Sequence, residues 1–551
     1  MRKKAVKRFV ALCLLGTIGL PVLAYTYEVP ENSVISGHSN SNGGYINATA
    51  GQAVKVNENV IFNSNYTTGE GGAGGAINID NAAANILSKV TFYSNKASQG
   101  GALSNSKGAV TIYSNAIFSS NQALQGNGGA IFNGNIGAID ISQYANFISN
   151  TASQGQGGAI SNENGSALTV HQNSNFVSNR AVQGGAISNF DAAMSILDNV
   201  TFDSNSATNA GAISNVSSAG YKSILVIGDN VEFKNNKADA YAGAILNQNS
   251  NLTIGNNAKF TNNKNGQAGG EHSGGAIAID TNSGNTSPSY VKIGTNAEFD
   301  GNVATKSAGA LYVYESSGEV SVDVGENATF KNNTAAKNGG AVAVYGVTGT
   351  YDGNKGLTFG KNTTFTNNTS TNGSGGAIYA ADFGGHSTDV TISGLTVFEN
   401  NKSLNGSGGA IYNAASNLVL DTNAGDIRFT GNTASGVAND ILAAASSVTN
   451  ITGTNNVSIG SGLTTLAGSS LSIKDTSALV VESGVKADIA GSITSTTANA
   501  KLVNNGKTTI SGRNNVNITN NADLTVSGNG ASNITNNANT VLSGTYTGTL
   551  N

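Results

Sequence analysis

The segment GGAIFN at 128–133 is followed by AIDIS at 138–142 and by NFISN at 146–150. The first segment enters through two glycines, which suits a tight turn. The second alternates apolar and polar residues, as a half-buried strand does. The third carries an aromatic residue and, three positions later, an asparagine. These segments predict three short strands separated by turns, with no helical periodicity.

The same two motifs alternate along most of the chain. The Phe-x-x-Asn motif begins at Phe62, Phe92, Phe118, Phe147, Phe176, Phe202, Phe233, Phe260, Phe299, Phe330, Phe365, Phe398 and Phe429. The Gly-Ala motif, Gly/Ala-Gly-Ala followed by Ile, Leu or Val, is centred on Gly75, Gly101, Gly129, Gly158, Gly185, Gly211, Gly243, Gly275, Gly309, Gly340, Gly376 and Gly409. One repeat cannot bury its own apolar face, but similar repeats can bury theirs by stacking. The alternation predicts an all-β chain: a right-handed, single-stranded parallel β-helix with three short strands per coil.

Each motif residue has a structural role in such a stack. Each Phe would stack on the Phe of the next coil, and each Asn would bond the matching Asn at a bend. The Gly pair would form a bend in which a Cβ clashes or φ is positive. We therefore interpret these residues as structural rather than catalytic: Phe92, Asn95, Phe118, Asn121, Phe147, Asn150, Phe176, Asn179, Gly129, Gly158 and Gly185.

The ends of the chain differ from the repeats. Residues 1–24 combine a basic start, an apolar run over 10–20 and a small residue at Ala24, which predicts a cleaved signal peptide. Residues 25–58 predict an N-terminal cap or first coil, and 59–441 the repeat array. Residues 442–551 have Tyr546 as their only aromatic residue and predict either a continuing β-helix with a thinner core or a Thr/Asn-rich disordered linker. They predict no C-terminal β-barrel.

Composition excludes several classes of protein. The single cysteine, Cys13, lies within the predicted signal, so the mature chain has no thiolate metal site or cysteine nucleophile. Removing the five basic residues of the signal leaves 23 Lys and Arg against 32 Asp and Glu, a net charge of about −9. Nucleic-acid binding needs a basic face, so we expect no nucleic-acid partner.

The alternating motifs are similar to the repeat of the polymorphic outer membrane proteins, a family of autotransporter adhesins. The resemblance covers residues 60 to 441, and the segment Gly431–Ala434 with Asn439–Ile441 is similar to the way many autotransporter passengers close a repeat array. It implies a β-helical passenger that crosses the outer membrane with translocation machinery and is displayed at the surface of a Gram-negative-type bacterium, or secreted. The sequence departs from the family in lacking the barrel and the mature-chain cysteines.

Longer repeats after Phe260 indicate where a partner could bind. The insertions are predicted at 281–290, 312–319, 345–356 and 380–389, in the same part of successive repeats. Extra residues at one place in a stack build a lateral surface. The candidate binding loops contain Tyr290, Tyr312, Tyr314, Tyr345 and Tyr351. The expected partner is a host-cell or matrix protein or a glycan, and neutral expansion of the loops is the alternative interpretation.

Three functions fit this sequence. The first is a surface adhesin, the second an extracellular carbohydrate-active enzyme on the same fold, and the third a purely structural stalk. The acidic residues do not converge as glycosidase carboxylates do. The histidines, His38, His171, His272 and His386, are scattered over different repeats without metal-ligand spacing. We therefore expect no enzymatic activity, no cofactor and no metal.

Overall fold

The computed structural model describes residues 25–41, 43–69, 71–218, 221–266, 273–281, 288–351 and 354–551, so the predicted signal peptide and His272 lie outside the described residues. The described residues contain β-strands and no helix. Contacts divide the chain into unit 1, which ends at Lys259, and unit 2, which begins at Phe260. Each unit is a stack of coils in which equivalent strands of neighbouring coils pair in parallel. The predicted parallel β-helix is thereby confirmed. Two short pairs in unit 2 are antiparallel instead: Thr350–Tyr351 with Asn354–Lys355, and Thr433–Ala434 with Val437–Ala438.

Four kinds of strand follow one another around each coil of the repeat array, and we name their sheets after their residues. The aliphatic sheet contains, in unit 1, Tyr27–Val29, Ala53–Val56, Ala83–Ile86, Ala109–Ile112, Ala138–Ile141, Ala167–Val170, Ala193–Ile196, Ile224–Ile227 and Asn251–Ile254, and in unit 2, Ser289–Ile293, Val320–Val324, Leu357–Phe359, Asp389–Ser393, Asn417–Asp421, Val448–Thr452, Ser470–Ile473, Ser492–Ser495 and Asn514–Asn515. Its inward positions are mostly Val, Ile and Leu, for example Ile139 and Ile141.

The phenylalanine sheet follows after a turn. It contains, in unit 1, Val34–Ser36, Ile61–Asn63, Thr91–Tyr93, Ile117–Ser119, Asn146–Ile148, Asn175–Val177, Thr201–Asp203 and Glu232–Lys234, and in unit 2, Glu298–Asp300, Thr329–Lys331, Thr364–Thr366, Val397–Glu399, Ile427–Thr430, Asn456–Ile459, Ala478–Val481, Lys501–Asn504, Asn517–Asn520 and Ile534–Asn536. The strand Lys259–Thr261 spans the boundary of the units.

The short-strand sheet comes next and was not predicted. It contains, in unit 1, Ser39–Asn40, Tyr66–Thr67, Lys96–Ala97, Gln122–Ala123, Thr151–Gln156, Arg180–Gln183, Ser206–Ala207 and Lys237–Ala238, and in unit 2, Lys264–Asn265, Val303–Ala304, Thr334–Ala335, Thr369–Ser370, Lys402–Ser403, Thr433–Ala434 and Val437–Ala438. Most of these strands are two residues long, too short to show an alternating pattern in sequence. The repeat coils therefore have four strands rather than three.

The Gly-Ala sheet completes the coil. It contains, in unit 1, Ile46–Ala48, Ile77–Asp80, Leu103–Ser106, Ile131–Gly134, Ile160–Glu163, Ile187–Phe190, Ile213–Val216 and Ile245–Gln248, and in unit 2, Ile277–Asp280, Leu311–Tyr314, Val342–Tyr345, Ile378–Ala381, Ile411–Ala414, Ile441–Ala443, Leu463–Thr465, Lys486–Ile489, Lys507–Ile510, Asp523–Val526 and Thr540–Leu542. From Val448 on, the coils have three strands and no short strand.

A column of phenylalanine rings runs through the interior of the repeat coils in each unit and ends in unit 2 at Phe429. In unit 1 the rings of Phe118 and Phe147 lie 4.9 Å apart and those of Phe147 and Phe176 4.7 Å apart, nearly parallel in both cases. In unit 2 the rings of Phe365 and Phe398 lie 4.7 Å apart. All of these rings are buried. The repeat spacing sets this column, because a shift of one residue would turn the ring to the outer face.

A column of asparagines runs beside the rings. The Asn150 side-chain amide donates to Asn179 Oδ1 at 3.0 Å and to the Phe118 carbonyl oxygen at 2.9 Å. Asn150 Oδ1 in turn accepts from the backbone and side-chain N–H groups of Asn121, both at 3.0 Å. These hydrogen bonds satisfy the polar groups of the buried bend that follows the Phe strand.

The glycine motif allows the coils to approach closely at the opposite bend. A Cβ at Gly129 would collide with the carbonyl oxygen of Gly158, and one at Gly158 with that of Gly185. The preceding Gly128 has φ +71°, which an L side chain rarely adopts. Both glycines of the pair are therefore required, for different reasons.

Candidate interaction surface at one corner

One corner of the coils is enlarged in unit 2. The connection from the Gly-Ala sheet to the aliphatic sheet spans only residues 107–108 or 415–416 in typical coils. In four successive coils of unit 2 it spans 281–288, 315–319, 346–356 and 382–388. Residues 282–287 and 352–353 of these connections lie outside the described residues. The predicted insertions thus fall at one corner of neighbouring coils, and we call the described parts of these connections the corner loops.

Glu315 joins two of the corner loops. It follows the strand Leu311–Tyr314 and is only 3% exposed. Glu315 Oε2 accepts from the Val320 and Thr348 backbone N–H groups, each at 3.0 Å, and Oε1 accepts from Thr348 Oγ1 at 3.1 Å. Hydrogen bonds to a carboxylate are among the stronger ones in proteins. The buried carboxylate of Glu315 therefore connects the corner loop of its own coil to the corner loop of the next coil.

A third corner loop forms a tight hairpin. Phe383 and His386 exchange backbone hydrogen bonds of 3.1 and 2.9 Å across Gly384 and Gly385. The glycines have φ of +59° and +84°, the two left-handed positions that a type I′ turn needs. His386 Nδ1 lies 3.8 Å from Glu315 Oε1. The corner loops of three coils therefore meet at Glu315.

The ring of Phe383 joins this hairpin to the strand beneath it. Its edge packs against Tyr314, with ring centroids 4.9 Å apart, while its outer side is exposed. Thr388 N donates to Asp382 Oδ1 at 2.8 Å at the base of the loop. Burial raises the pKa of Asp382, and the charge of Asp389 raises it further. The hairpin thus presents an aromatic ring, an imidazole and a carboxylate at the corner.

Lys355 forms an ion pair with Asp389 at this corner. Lys355 Nζ lies 2.8 Å from Asp389 Oδ2, and Asn417 Nδ2 donates to Asp389 Oδ1 at 2.7 Å. Lys355 belongs to an antiparallel hairpin of Thr350–Tyr351 with Asn354–Lys355. The ion pair therefore connects this hairpin to the start of the strand Asp389–Ser393.

The tyrosines predicted in exposed loops have different positions. Tyr312 and Tyr314 are only 2% and 8% exposed, so the prediction that they lie exposed in loops was wrong. They lie with Tyr345 at outward positions of Gly-Ala strands. The connection that carries the Gly-Ala motif contacts this face at Tyr345, where Asn338 Nδ2 donates to the Tyr345 hydroxyl at 3.3 Å.

The remaining predicted tyrosines lie on strands as well. Tyr290 is half-buried in the strand Ser289–Ile293, and Tyr351 lies in the antiparallel hairpin, its side chain outside the described residues. Burial raises the pKa of Tyr314, and the neighbouring charge of Asp280 adds to this effect. The structure thus brings Tyr312, Tyr314 and Tyr345 together on the outer face of the Gly-Ala sheet. Their binding role stays a prediction.

Two tyrosines that sequence reasoning missed extend this group. Tyr379 lies 5.4 Å from Tyr345, and Tyr412 lies 5.4 Å from Tyr379, measured between ring centroids. Burial raises the pKa of Tyr379 to about 12, with smaller contributions from its two tyrosine neighbours. The signal was present in the sequence, because Tyr379 and Tyr412 each follow a Gly-Gly-Ala-Ile motif directly.

The described histidines His38 and His171 have specific partners in the structure, which their scattered sequence positions did not indicate. His171 Nε2 lies 2.8 Å from Asp140 Oδ1 in the preceding coil, and this hydrogen bond raises the pKa of His171. The ring of His38 lies 4.8 Å from that of Tyr45. Among the described residues there is no group of His, Cys, Asp and Glu side chains that could hold a metal ion.

The fold and the corner loops define a parallel β-helical repeat protein in which longer connections extend one side of the coils. Three stretches, 327–345, 362–381 and 395–414, match the family described as the Chlamydia polymorphic membrane protein repeat. These three stretches are therefore repeats of the polymorphic membrane protein type, and the resemblance carried by the motifs is confirmed. No curated protein was found that matches the chain in sequence.

The matched stretches lie in three successive coils of unit 2, and each ends with its Gly-Ala strand, before the connection to the aliphatic sheet. Each contains a Phe-sheet strand and a Gly-Ala strand, and Tyr345 closes the first of them. Within the part of the chain that the structure describes, no helix is long and apolar enough to cross a membrane.

Proposed function

We propose that the chain is an exported passenger of autotransporter type that is displayed at the cell surface and binds a partner through its corner loops. The repeat family supports a surface protein of this type. The observation that carries the binding role is the convergence of three corner loops on Glu315. Neutral expansion of the loops, the alternative interpretation, does not account for a buried carboxylate that joins loops from successive coils.

The chemistry of the corner favours a protein or glycan partner. Aromatic side chains and imidazoles make both apolar contacts and hydrogen bonds, and aromatic residues are enriched at recognition surfaces. Phe383 and His386 are exposed side by side on a short, hydrogen-bonded turn. A turn held in this way loses little conformational entropy when a partner binds. Host-cell protein, matrix protein and glycan remain the partner classes that we propose.

Loop replacement tests this proposal. Residues 346–356 are replaced by Lys-Gly, the link found at 107–108, and binding of the purified protein to cultured cells, matrix proteins and a glycan array is measured. The matched control replaces 217–223, a long connection at the same corner in unit 1, with the same link. We expect binding to be lost in the first variant only, with unchanged circular dichroism. Equal binding by both variants would contradict the proposal.

A catalytic role has weaker support. The most buried carboxylate of the corner, Glu315, has both oxygens bonded to donors of its own chain, which suits a structural role. We propose that the protein is not an enzyme. Turnover of polygalacturonates or related glycans by the purified protein would overturn this part of the proposal. A stalk without a ligand is the alternative if no partner is found in any of the binding assays.

A further inference from the structure

Tyr379 and Tyr412 occupy equivalent positions in consecutive coils. They are register partners of the paired strands Ile378–Ala381 and Ile411–Ala414. Their ring centroids lie 5.4 Å apart with an interplanar angle of 5°, and both side chains are half-buried. The backbone pairing therefore holds two phenol rings face to face, while part of each remains open to solvent.

We infer that Tyr379 and Tyr412 form an oxidative cross-linking site, at which a dityrosine bond joins two consecutive coils. A one-electron oxidant, such as hydrogen peroxide with a haem peroxidase, removes one electron and one proton from each phenol. The two phenoxyl radicals then couple through a new carbon–carbon bond between their ortho positions. Each coupled carbon loses its hydrogen to the neighbouring oxygen as the rings regain aromaticity. One peroxide takes up two electrons and two protons and becomes two water molecules.

The geometry favours this pair over its neighbours. Tyr345 and Tyr379 are equally close, but their planes are inclined by 43°. Tyr312 and Tyr345 are inclined by 40° and lie 5.7 Å apart. In the nearly parallel pair the two ring faces are turned toward each other, and coupling requires the rings to approach from a centroid distance of 5.4 Å until one ortho carbon of each ring meets the other. The stacked Phe rings have the same geometry, but they cannot form phenoxyl radicals.

The cross-link would supply a covalent connection that cysteine cannot. The chain has one cysteine, Cys13, so no disulfide can join two of its coils. Exported proteins meet oxidising conditions, in which covalent links between chain segments persist. The bond would hold the coil of Tyr379, from which the hairpin at 382–388 projects, to the coil that follows. It does not depend on the proposed binding function.

The test uses the purified full chain at low concentration, treated with a haem peroxidase and hydrogen peroxide. Monomer is isolated by size exclusion, unfolded and digested with trypsin. The site predicts a linked pair of peptides, 362–402 joined to 403–428, with two hydrogens fewer than the separate peptides. It also predicts dityrosine fluorescence in the monomer fraction. Oxidation of the chain in urea should lower the yield several-fold, because the register is then lost.

Two matched variants make the result specific. Tyr412→Phe keeps the ring and removes the phenol, so the linked peptides should vanish. Tyr144→Phe removes an exposed tyrosine, 46% exposed, that belongs to no described ring pair and should leave them unchanged. The inference is overturned if the monomer contains no such link, if the link survives in Tyr412→Phe, or if Tyr345 links to Tyr379 and none links to Tyr412.

Discussion

The Asn432 side-chain amide donates to Asp440 Oδ1 at 2.8 Å, and this bond ends the asparagine column of unit 2. Asn401 Nδ2 donates to Asn432 Oδ1 at 2.9 Å, so the amides of the column point in one direction. Asp440 Oδ2 also accepts from the backbone N–H groups of Ser461 and Gly462, at 2.6 and 3.2 Å. A buried carboxylate thus takes the place of the next asparagine where the Phe-x-x-Asn repeats stop.

Replacing this carboxylate with an amide should destabilise unit 2. In Asp440→Asn one acceptor oxygen becomes an NH₂ group that faces the N–H groups of Ser461 and Gly462. Leaving buried donors unsatisfied costs about 1–3 kcal/mol, and we expect a loss of that size in the free energy of unfolding. Urea denaturation measures it. The exposed Glu399→Gln should change stability by less than about 0.5 kcal/mol, and equal effects of the two substitutions would contradict the role of Asp440.

The asparagine column of unit 1 should be equally sensitive. Asn150→Ala removes the acceptor of two N–H groups of Asn121 and the donor to the Phe118 carbonyl oxygen. Several buried polar groups are left unsatisfied, so the free energy of unfolding should fall by about 3 kcal/mol or more. Asn146→Ala, on the outer face of the same coil, is the matched control for urea denaturation. A loss no larger than that of the control would show that the column does not stabilise the fold.

The His171–Asp140 pair should make stability depend on pH. The hydrogen bond from Asp140 raises the pKa of His171 above its ordinary 6.5. The charged imidazole therefore stabilises the folded state fully below pH 6.5, and this contribution is lost as the pH rises through the folded-state pKa.

Nuclear magnetic resonance titration of the imidazole resonances can follow this effect, because the chain has only four histidines. His171→Gln identifies the resonance. In Asp140→Asn we expect the pKa of His171 to fall and the pH dependence of the melting temperature to weaken between pH 6 and pH 8. Identical titration of His171 in the wild type and in Asp140→Asn would contradict the pair.

Glu315 should control the order of the corner loops without controlling the fold. In Glu315→Gln only one acceptor oxygen remains, so the three hydrogen bonds that the two oxygens of Glu315 receive from Val320 and Thr348 cannot all be accepted. Hydrogen–deuterium exchange should therefore speed up in 346–349 and 383–386, while the Phe strands remain protected. Glu319→Gln, an exposed neighbour, is the control. Unchanged exchange in both loops of Glu315→Gln would contradict the organising role of Glu315.

Sequence periodicity was sufficient to predict the fold, because one residue type recurs at the same position of every repeat. Phe147 and Asn150 could each be assigned to a column from spacing alone. The short-strand sheet was missed because strands such as Gln122–Ala123 are too brief to have a pattern.

The corner was predicted less completely. The lengths of the repeats indicated where loops extend, but they could not show that Tyr312 and Tyr314 are buried. The contact of Glu315 with Thr348 and His386 joins residues of three coils, a proximity that appears only once the register of the strands is known. The pairing of His171 with Asp140 was missed for the same reason.

Disulfide trapping of the register tests the stacked architecture most directly. In a Cys13→Ser background, S119C is combined with I148C, its register partner on the outer face of the next coil. Paired parallel strands lie about 4.8 Å apart, within the Cα separation of about 4.4–6.8 Å that a disulfide spans. The stacked architecture predicts rapid oxidation of this pair. It predicts no oxidation of S119C combined with V177C, because Val177 lies two coils and about 9.6 Å from Ser119. Equal oxidation of the two pairs, or oxidation of the second pair only, would contradict it.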